Sequence, residues 1–483
     1  MLSQEETGKL KIGLEIHVQL TNLKTKLFCH CPSDYRGKKP NENVCPICLG
    51  LPGTLPQVNR KAIESAVAVC LAFKARVQPH VVFSRKNYFY PDMNKNYQIT
   101  QYDKAGGTTI GVGGHVAVSL DGERKEIPFR RIQLEEDPGR LVHVEKGGIR
   151  KTYIDYNRAG ISLVEIVTEP AMHWPKEARL VLEKVQTTLE HLGVLDPSFE
   201  GAMRCDANVS YAGGARIEIK NINSFREVEQ ALRFEELRLV YLPKLESTVT
   251  KRWGEKEGVT ATSREKETEE DYRYFPEPDI PPMLVDDKLI ERIGRSLPEL
   301  PDERVERFIR IYTLPEKLAS ILVSEKIVAD FFEETLKFLN DPKVVAHWLT
   351  NEVVRRWREC DIDFRKSEFK PRDLARLISM LKEGVLTPRM AKNILWEVVL
   401  TGEDVEEYVE RRGLSIIRDP TMLASVVLKV LEENPGLNED ASKNKRAVDF
   451  ICGEAQKKLG GRADPIMLRT EVNKLIKEPA ENA

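Results

Sequence analysis

The sequence predicts an α+β fold, in which a sheet-rich part of about 290 residues precedes a helical part. Up to about residue 290, short segments alternate apolar and polar residues, as strands with one packed face do. After the proline-rich segment 274–282, most segments repeat apolar residues at helical spacing, and those prolines can continue neither a helix nor a central strand. We therefore predict a sheet domain over 1–293, a helical domain over 294–410 and a small helical tail domain over 411–483.

Composition narrows the class of protein. The 483 residues carry a formal net charge of −2, which excludes a protein that is basic all over but allows one basic face. No apolar run approaches the roughly 18 residues of a membrane span, and the first ten residues lack the apolar stretch of a signal peptide. Eight cysteines in a chain of this length do not make a secreted disulfide scaffold. We expect a soluble, cytoplasmic protein without membrane contact.

The elements follow from the period of the apolar residues. In GLEIHVQL (13–20), apolar residues alternate with Glu15 and His17, and the same period of two recurs in MRCDANVS (203–210) and ARIEIKN (215–221). Helical spacing predicts helices over 60–76, 177–192, from Ser224 to about 241, 421–434, 439–459 and 465–478.

Four cysteines form a C-x-C pair and a C-x-x-C pair with thirteen residues between the pairs: Cys29, Cys31, Cys45 and Cys48. Close pairs let two thiolates reach one ion while the intervening loop folds back, which is how a tetrahedral Zn²⁺ site closes. Four sulfur ligands leave no open position, so the pattern predicts a structural zinc knuckle over 29–48. The alternative is four unrelated thiols in a reducing cytosol.

Acidic residues interrupt strands that are otherwise apolar. Glu165 lies inside ISLVEIVTEP, Glu135 follows RRIQL, and Glu15 and His17 share the polar face of one strand. A carboxylate buried alone is costly, so these positions need a cation or hydrogen-bond donors. Carboxylates with one His are compatible with Mg²⁺, so their convergence on one sheet face would make a phosphoryl-transfer site, although each residue singly also suits a solvated strand position. The sequence contains neither a P-loop nor a G-x-S-x-G elbow.

Eight segments occur in a particular order: GLEIHVQL, CPICLGLPGTLPQVN, FSRKNYFYPDMNKNYQITQY, IQLEEDPG, YNRAGISLVEIVTEP, MRCDANVS, EIKNINSFR and DYRYFPEPDIPP. Together they resemble the GatB family, which comprises the B subunits of aspartyl/glutamyl-tRNA amidotransferases. The resemblance implies a cradle domain with a glutamine-synthetase-like antiparallel sheet, then a helical domain and a tail that holds tRNA. It also implies a ligase reaction, in which ATP phosphorylates the side-chain carboxylate of Glu-tRNA(Gln) or Asp-tRNA(Asn) and ammonia displaces the phosphate.

The resemblance implies partners and ligands as well. An amidase, the family's A subunit, would release the ammonia from glutamine, and a small C subunit would belt the heterotrimer. Carried onto this sequence, the catalytic Mg²⁺ ligands would be His17, Glu135 and Glu165, with Glu15 beside them at a second, transient metal position. The structural Zn²⁺ ligands would be the four cysteines of the knuckle.

Two further groups of residues have two interpretations each. The polar strand residues Arg204, Asp206, Asn208, Glu218 and Lys220 either meet ATP phosphates and the aminoacyl end or form a solvated, ion-paired face. The loop residues Arg85, Lys86, Tyr88, Phe89 and Tyr90 suit either stacking on unpaired bases of an acceptor end or a packed aromatic corner.

The tail offers a footprint for tRNA. Residues 443–477 contain nine Lys and Arg against four Asp and Glu, a net charge of +5, and we predict tRNA contacts at Lys457, Lys458 and Arg462. An ordinary charged helical surface is the alternative. For the whole protein, two other functions compete with transamidation: a non-catalytic, zinc-stabilised subunit that docks tRNA, and a ligase that acts on free glutamate.

Overall fold

The structure is a computed structural model that describes residues 10–199, 201–220, 222, 224–241, 247–265, 270–360, 364–437, 441 and 444–477. The chain divides into two compact units, Met1–Pro301 and Asp302–Ala483. Nearly all the strand residues lie in the first unit, and the second unit is helical. The predicted order of sheet and then helices is confirmed, whereas the three-domain division stays a prediction.

The strands are β1 Leu10–Gln19, β2 Arg76–Val77, β3 His80–Val81, β4 Phe83–Asn87, β5 Tyr97–Gln101, β6 Gly111–Val112, β7 His115–Leu120, β8 Glu123–Glu136, β9 Arg140–Lys146, β10 Ile149–Asp155, β11 Ser162–Thr168, β12 Met203–Tyr211, β13 Ile217–Lys220, β14 Val249–Gly254, β15 Val259–Glu265, β16 Phe275–Pro276 and β17 Met283–Leu284. The helices of the first unit are α1 Pro46–Leu49, α2 Arg60–Ala72, α3 Pro175–His191, α4 Phe225–Tyr241 and α5 Asp287–Arg295. The helix predicted over 60–76 ends early, at Ala72, because Lys74 adopts a left-handed backbone with φ of 57°.

The largest sheet of the first unit has ten strands, with the order β15-β14-β13-β12-β1-β11-β8-β6-β2 and β7 paired to β8. Among the described residues, three smaller sheets are formed by β9 with β10, by β16, β4 and β5, and by β3 with β17. Strand β1 lies between β11 and β12 and is antiparallel to both. The prediction of an antiparallel sheet needs one correction, since β13 and β14 are parallel. Helix α4 joins these two strands, and parallel neighbours need a crossover of that length.

The alternation in β1 assigns its two faces. Leu14, Ile16 and Val18 are at most 1% exposed and belong to the main hydrophobic cluster, which also includes buried residues of α3 and α4. Helices therefore cover the apolar face of the sheet, and Glu15 and His17 point to the opposite face.

A buried ion network fixes α4 to the sheet edge. Glu235 is fully buried and accepts hydrogen bonds from Lys251 Nζ at 2.8 Å and from Arg238 Nε at 2.6 Å. Thr260 donates to the same carboxylate. The charges of α4 and β14 are thus matched inside the protein rather than by water.

We expect Glu235→Gln to destabilise the protein by about 3 kcal/mol, because removing one partner of a buried ion pair leaves an uncompensated charge. The free energy of unfolding of the full chain in urea is the measurement. Glu236→Gln, at the half-exposed next position of the same helix, is the control and is expected to cost less than about 0.5 kcal/mol. Equal costs for the two variants would contradict the prediction.

The second unit contains two hydrophobic clusters. Its helices are α6 Pro301–Tyr312, α7 Glu316–Val323, α8 Lys326–Leu336, α9 Pro342–Trp348, α10 Arg355–Glu359, α11 Pro371–Lys382, α12 Pro388–Thr401, α13 Val405–Arg411, α14 Pro420–Glu433, α15 Lys445–Lys458 and α16 Pro465–Lys477, with a π-helical turn at Leu349–Val354 and a 3₁₀ turn at Phe364–Lys366. One cluster packs the helices from α6 to α13, and the other packs α14, α15 and α16. The helix predicted over 439–459 begins at Lys445, and residues 438–440, 442 and 443 lie outside the described residues. Every helix described is too short or too polar to cross a bilayer.

Candidate functional site

Three of the predicted ligands lie together on the polar face of the central strands. His17 on β1 is the cross-strand partner of Glu165 on β11, and Glu135 on β8 pairs with a nearby position of β11. His17 Nε2 lies 3.5 Å from Glu135 Oε1 and 3.9 Å from Glu165 Oε1. One potential ligand atom of each residue lies within 4.8 Å of the others, so all three could contact a single ion.

The charges in this cluster favour a cation. Burial, together with the charges of Glu135 and Glu15, raises the pKa of Glu165 to about 8. Burial lowers the pKa of His17 below its usual 6.5, although Glu135 opposes that change. His17 is therefore a neutral imidazole at neutral pH, which is the form that binds metals. Because the pKa of Glu165 is raised to about 8, its carboxyl group is protonated at neutral pH, and a divalent cation would displace this proton and balance the charges of the carboxylates.

A second acidic cluster lies beside the first. Glu15, Asp206 and Glu218 each offer a carboxylate oxygen within 4.8 Å of the others. Register explains the group, because Glu15 is opposite Asp206 on β12 and Asn208 of β12 is opposite Glu218 on β13. Asn208 Nδ2 donates to Glu15 Oε1 at 3.0 Å, and Lys220 Nζ lies 3.1 Å from Asp206 Oδ2. Glu15 thus groups with residues of β12 and β13 rather than with His17.

Asp137, which the sequence did not single out, binds two arginines next to the first cluster. Its Oδ1 accepts a hydrogen bond from Arg204 Nη2 at 2.7 Å, and its Oδ2 accepts from Arg158 Nη2 at 2.5 Å. Burial opposes ionisation, but the two guanidinium groups hold the pKa of Asp137 below 3.8. Arg204 is the cross-strand partner of His17, and its side chain is 42% exposed. Asp137 therefore fixes the guanidinium of Arg204 beside the first cluster, where an anion can still reach it.

We expect Asp137→Asn to destabilise the protein by about 3 kcal/mol at pH 7, because both arginines lose their charged partner. The folded-state pKa of Asp137 is lowered, so its contribution is present above the unfolded pKa and is lost as the pH falls through the folded value. The difference between variant and wild type should accordingly shrink below about pH 3.8. Urea unfolding of the variant and the wild type at pH 7 and at pH 3 measures this difference in stability. A difference that does not depend on pH would contradict the role of the ionised Asp137 carboxylate.

The segment from Arg85 to Tyr90 shows both of its predicted interpretations, but Arg85 and Lys86 lie in β4 and not in a loop as predicted. Arg85 donates two hydrogen bonds of 2.7 Å to Glu277, so its charge is used inside the protein. Lys86 Nζ lies 4.6 Å from the ring centre of Tyr272, and Tyr88 packs edge-on against the same ring at 6.1 Å. These residues form the packed aromatic corner. In contrast, the side chains of two loop residues are open to solvent and available for stacking, namely Phe89 at 77% and Tyr90 at 55% exposure.

The four cysteines also lie together. One sulfur of each lies within 4.8 Å of the others, and Cys45 precedes the short helix α1 while Cys48 lies within it. Lys26 is fully buried and donates to Cys48 Sγ at 3.7 Å. A hydrogen bond from Cys29 and, against the effect of burial, the charge of Lys26 lower the pKa of Cys48 to about 5. Four sulfurs at these distances fit a tetrahedral zinc.

The three predicted tail residues differ in what they contact. Lys457 Nζ lies 2.5 Å from Glu454 Oε1, and Lys458 Nζ lies 2.7 Å from Glu433 Oε1. Exposed pairs of this kind contribute little to stability, so both ammonium groups can exchange partners. Arg462 instead donates to the carbonyl oxygens of Leu459 and Gly413, at 3.2 Å and 2.8 Å, and thereby stabilises the chain between α15 and α16.

Known proteins match almost the whole chain. Residues 10–291 match the family model described as the GatB/GatE catalytic domain, and residues 330–478 match the GatB domain. The chain is similar to the aspartyl/glutamyl-tRNA(Asn/Gln) amidotransferase B subunit of Sulfurisphaera tokodaii, with 45% identity over 97% of this chain and 99% of the relative. The proteins of the same name from Sulfolobus acidocaldarius and Thermotoga maritima are 44% and 42% identical, over 97% and 96% of this chain and 99% and 98% of the relatives.

Proposed function

The chain belongs to the GatB family, and from this membership we propose that its sheet domain activates the tRNA-bound amino acid. The relatives described above are named B subunits of aspartyl/glutamyl-tRNA(Asn/Gln) amidotransferases. The proposed reaction is ATP-dependent phosphorylation of the side-chain carboxylate of Glu-tRNA(Gln) or Asp-tRNA(Asn), followed by amidation. The observation that carries this proposal is the pair of adjacent acidic clusters on one face of the sheet. Clustered acids suit the binding of metal and nucleotide, whereas they would repel the phosphates of an RNA that was merely docked.

The residues fit two divalent cations. His17, Glu135 and Glu165 would hold one Mg²⁺, and Glu15 with Asp206 and Glu218 would hold a second. Bound there, Mg²⁺ would neutralise charge on the transferring phosphoryl group. Carboxylates and one neutral imidazole are the donor set that such ions accept.

The basic residues around the clusters would orient the anionic reactants. Arg204 is held by Asp137 at 2.7 Å, so its guanidinium is aimed before a phosphate or a substrate carboxylate arrives. Lys220, which lies 3.1 Å from Asp206 and 3.6 Å from Glu218, can offer a proton donor to an anion at the second cluster. Positioning and electrostatic stabilisation of this kind account for most of the catalysis in phosphoryl transfer.

The remaining parts of the proposal concern partners. An amidase partner would supply ammonia, a small belt partner would complete the heterotrimer, and the tail domain would bind tRNA. The knuckle cysteines would hold a structural Zn²⁺, since four sulfur ligands leave no position for a reactant.

Reconstitution of the chain with candidate amidase and belt partners tests the function. Both mischarged tRNAs are supplied, and ATP hydrolysis and amide formation from ammonium chloride are measured. We expect tRNA-dependent ATP turnover coupled to amide formation with at least one of the tRNAs. Tight tRNA binding without ATP turnover would favour a non-catalytic docking role instead, and equal activity with free glutamate would favour the ligase.

We expect the double variant Lys457→Gln, Lys458→Gln to weaken tRNA binding several-fold and to flatten its salt dependence. Each phosphate contact that is lost reduces the slope of log K against log salt by about 1. Filter binding at several salt concentrations measures this slope. The control variant Lys317→Gln, Lys337→Gln removes two exposed charges from α7 and the end of α8, and equal slopes for the two variants would remove the support for a tail footprint.

A further inference from the structure

Lys26 is an exception among the buried residues of the first unit. Its side chain is fully buried, a rare state for a lysine without an anionic partner. Two other lysines with largely buried side chains have carboxylate partners, since Lys95 pairs with Glu136 and Lys251 pairs with Glu235. In the described parts of the chain, no ion pair joins Lys26 to a carboxylate.

The contacts of the Lys26 ammonium account for all three of its protons. It donates to the carbonyl oxygen of Asn43 at 2.7 Å, to that of Tyr156 at 3.4 Å and to Cys48 Sγ at 3.7 Å. The two carbonyl groups are neutral, so the sulfur is the one contact that can carry a full negative charge. A buried ammonium without a matched charge is costly. The compensating charge must therefore reside in the cysteine cluster.

The net charge of the metal site shows how much negative charge is available to balance the Lys26 ammonium. Four thiolates around a divalent metal carry a net charge of −2, and an ammonium at hydrogen-bond distance reduces it to −1. We propose that Lys26 is the built-in counter-ion of the four-cysteine metal site and the contact that ties this site to the turn 156–160. The inference rests on the proposal that the cysteines bind a metal.

The turn 156–160 is joined by further contacts to the knuckle and to the residues just before it. The side chain of Asn157 accepts a hydrogen bond from the backbone N–H of Asn43 at 2.7 Å, and the carbonyl of Gly160 accepts from Leu27 N at 2.9 Å. Arg158, in the middle of the turn, holds Asp137. Lys26 therefore connects the metal site to the turn 156–160, and this turn supports the proposed active site through Arg158 and Asp137. A partner outside the ligands tunes a metal site in this way in many proteins.

The test uses the full chain loaded with Zn²⁺ or Co²⁺. We expect Lys26→Met to lower the affinity for Zn²⁺ by about 10–100-fold, the usual effect of removing an outer-shell partner, as measured by competition with a chromophoric chelator. Lys26→Arg keeps the charge and should recover part of the affinity. Lys251→Met removes a buried lysine that pairs with Glu235 and should leave the affinity unchanged.

The outcomes separate the two proposals. Wild-type affinity in Lys26→Met would overturn the role of Lys26 alone. If the wild-type chain with Co²⁺ gives no thiolate charge-transfer absorption, the metal site itself is refuted, and the role of Lys26 with it.

A second measurement needs no variant. The wild-type chain is treated with an amine-acylating reagent before and after removal of zinc by a chelator, and labelled lysines are identified by mass spectrometry. Lys26 should be protected in the zinc form and labelled in the metal-free form, whereas Lys251 should be protected in both. Equal labelling of Lys26 in the two forms would overturn the proposal.

Discussion

Replacing Glu135 with Gln is expected to reduce tRNA-dependent ATP turnover and amide formation by at least about a hundredfold. Glu135 is 5% exposed and lies 3.5 Å from His17, so its carboxylate is one of three donors that could share one ion. The amide keeps the shape of the side chain but carries no charge and is a weak ligand for Mg²⁺. Metal stabilisation of a transferring phosphoryl group contributes several kcal/mol, and each 1.36 kcal/mol is about tenfold in rate.

The control for this variant comes from the same strand. Glu126 also lies on β8 but is exposed to solvent, and Glu126→Gln should retain the wild-type rates. In the proposed division of labour, an amidase partner hydrolyses glutamine without the carboxylates of this chain, so glutamine hydrolysis should persist in both variants. Full amide formation in Glu135→Gln would refute the assignment of the first cluster as the catalytic metal site.

Cys45→Ser is expected to abolish zinc binding and to lower the thermal midpoint by at least about 6 °C. Structural zinc contributes roughly 10–16 kcal/mol to the folding of small zinc peptides. A loss of only about 3 kcal/mol here, at about 2–4 °C per kcal/mol, already gives that shift. Differential scanning calorimetry gives the midpoint, and elemental analysis should give one zinc per wild-type chain and none in the variant.

Cys360→Ser is the matched control, since Cys360 is an exposed free cysteine outside the knuckle. Its zinc content and thermal midpoint should equal those of the wild type. If Cys45→Ser kept a full equivalent of zinc, the four sulfurs would not be a metal site, and the alternative of unrelated thiols would stand.

The sequence was sufficient to locate several of the elements, although strands such as β7 and β14 were not predicted. Period-two alternation predicted β1, β12 and β13, and the helices α3 and α4 begin within two residues of their predicted starts. Alternation also determines which residues share a face, so Glu15 and His17 were expected to point away from the core. Cysteine spacing likewise predicted which four sulfurs would meet.

The local sequence pattern could not predict the register between strands that are distant in the sequence. The pattern of β1 does not say that Glu15 pairs with Asp206 and His17 with Glu165, because cross-strand partners depend on which strands become neighbours. The parallel pairing of β13 with β14 could not be predicted from the local pattern for the same reason.

The sequence by itself determined the class of fold, the polar and apolar faces of the strands, the cysteine cluster and the residue types of the acidic site. Tertiary structure alone decided that the acids form two clusters, that Asp137 holds Arg204 and that Lys26 lies against Cys48. The physical reason is that burial and period are local properties of a segment, whereas the partner of a buried charge is chosen when remote segments pack together.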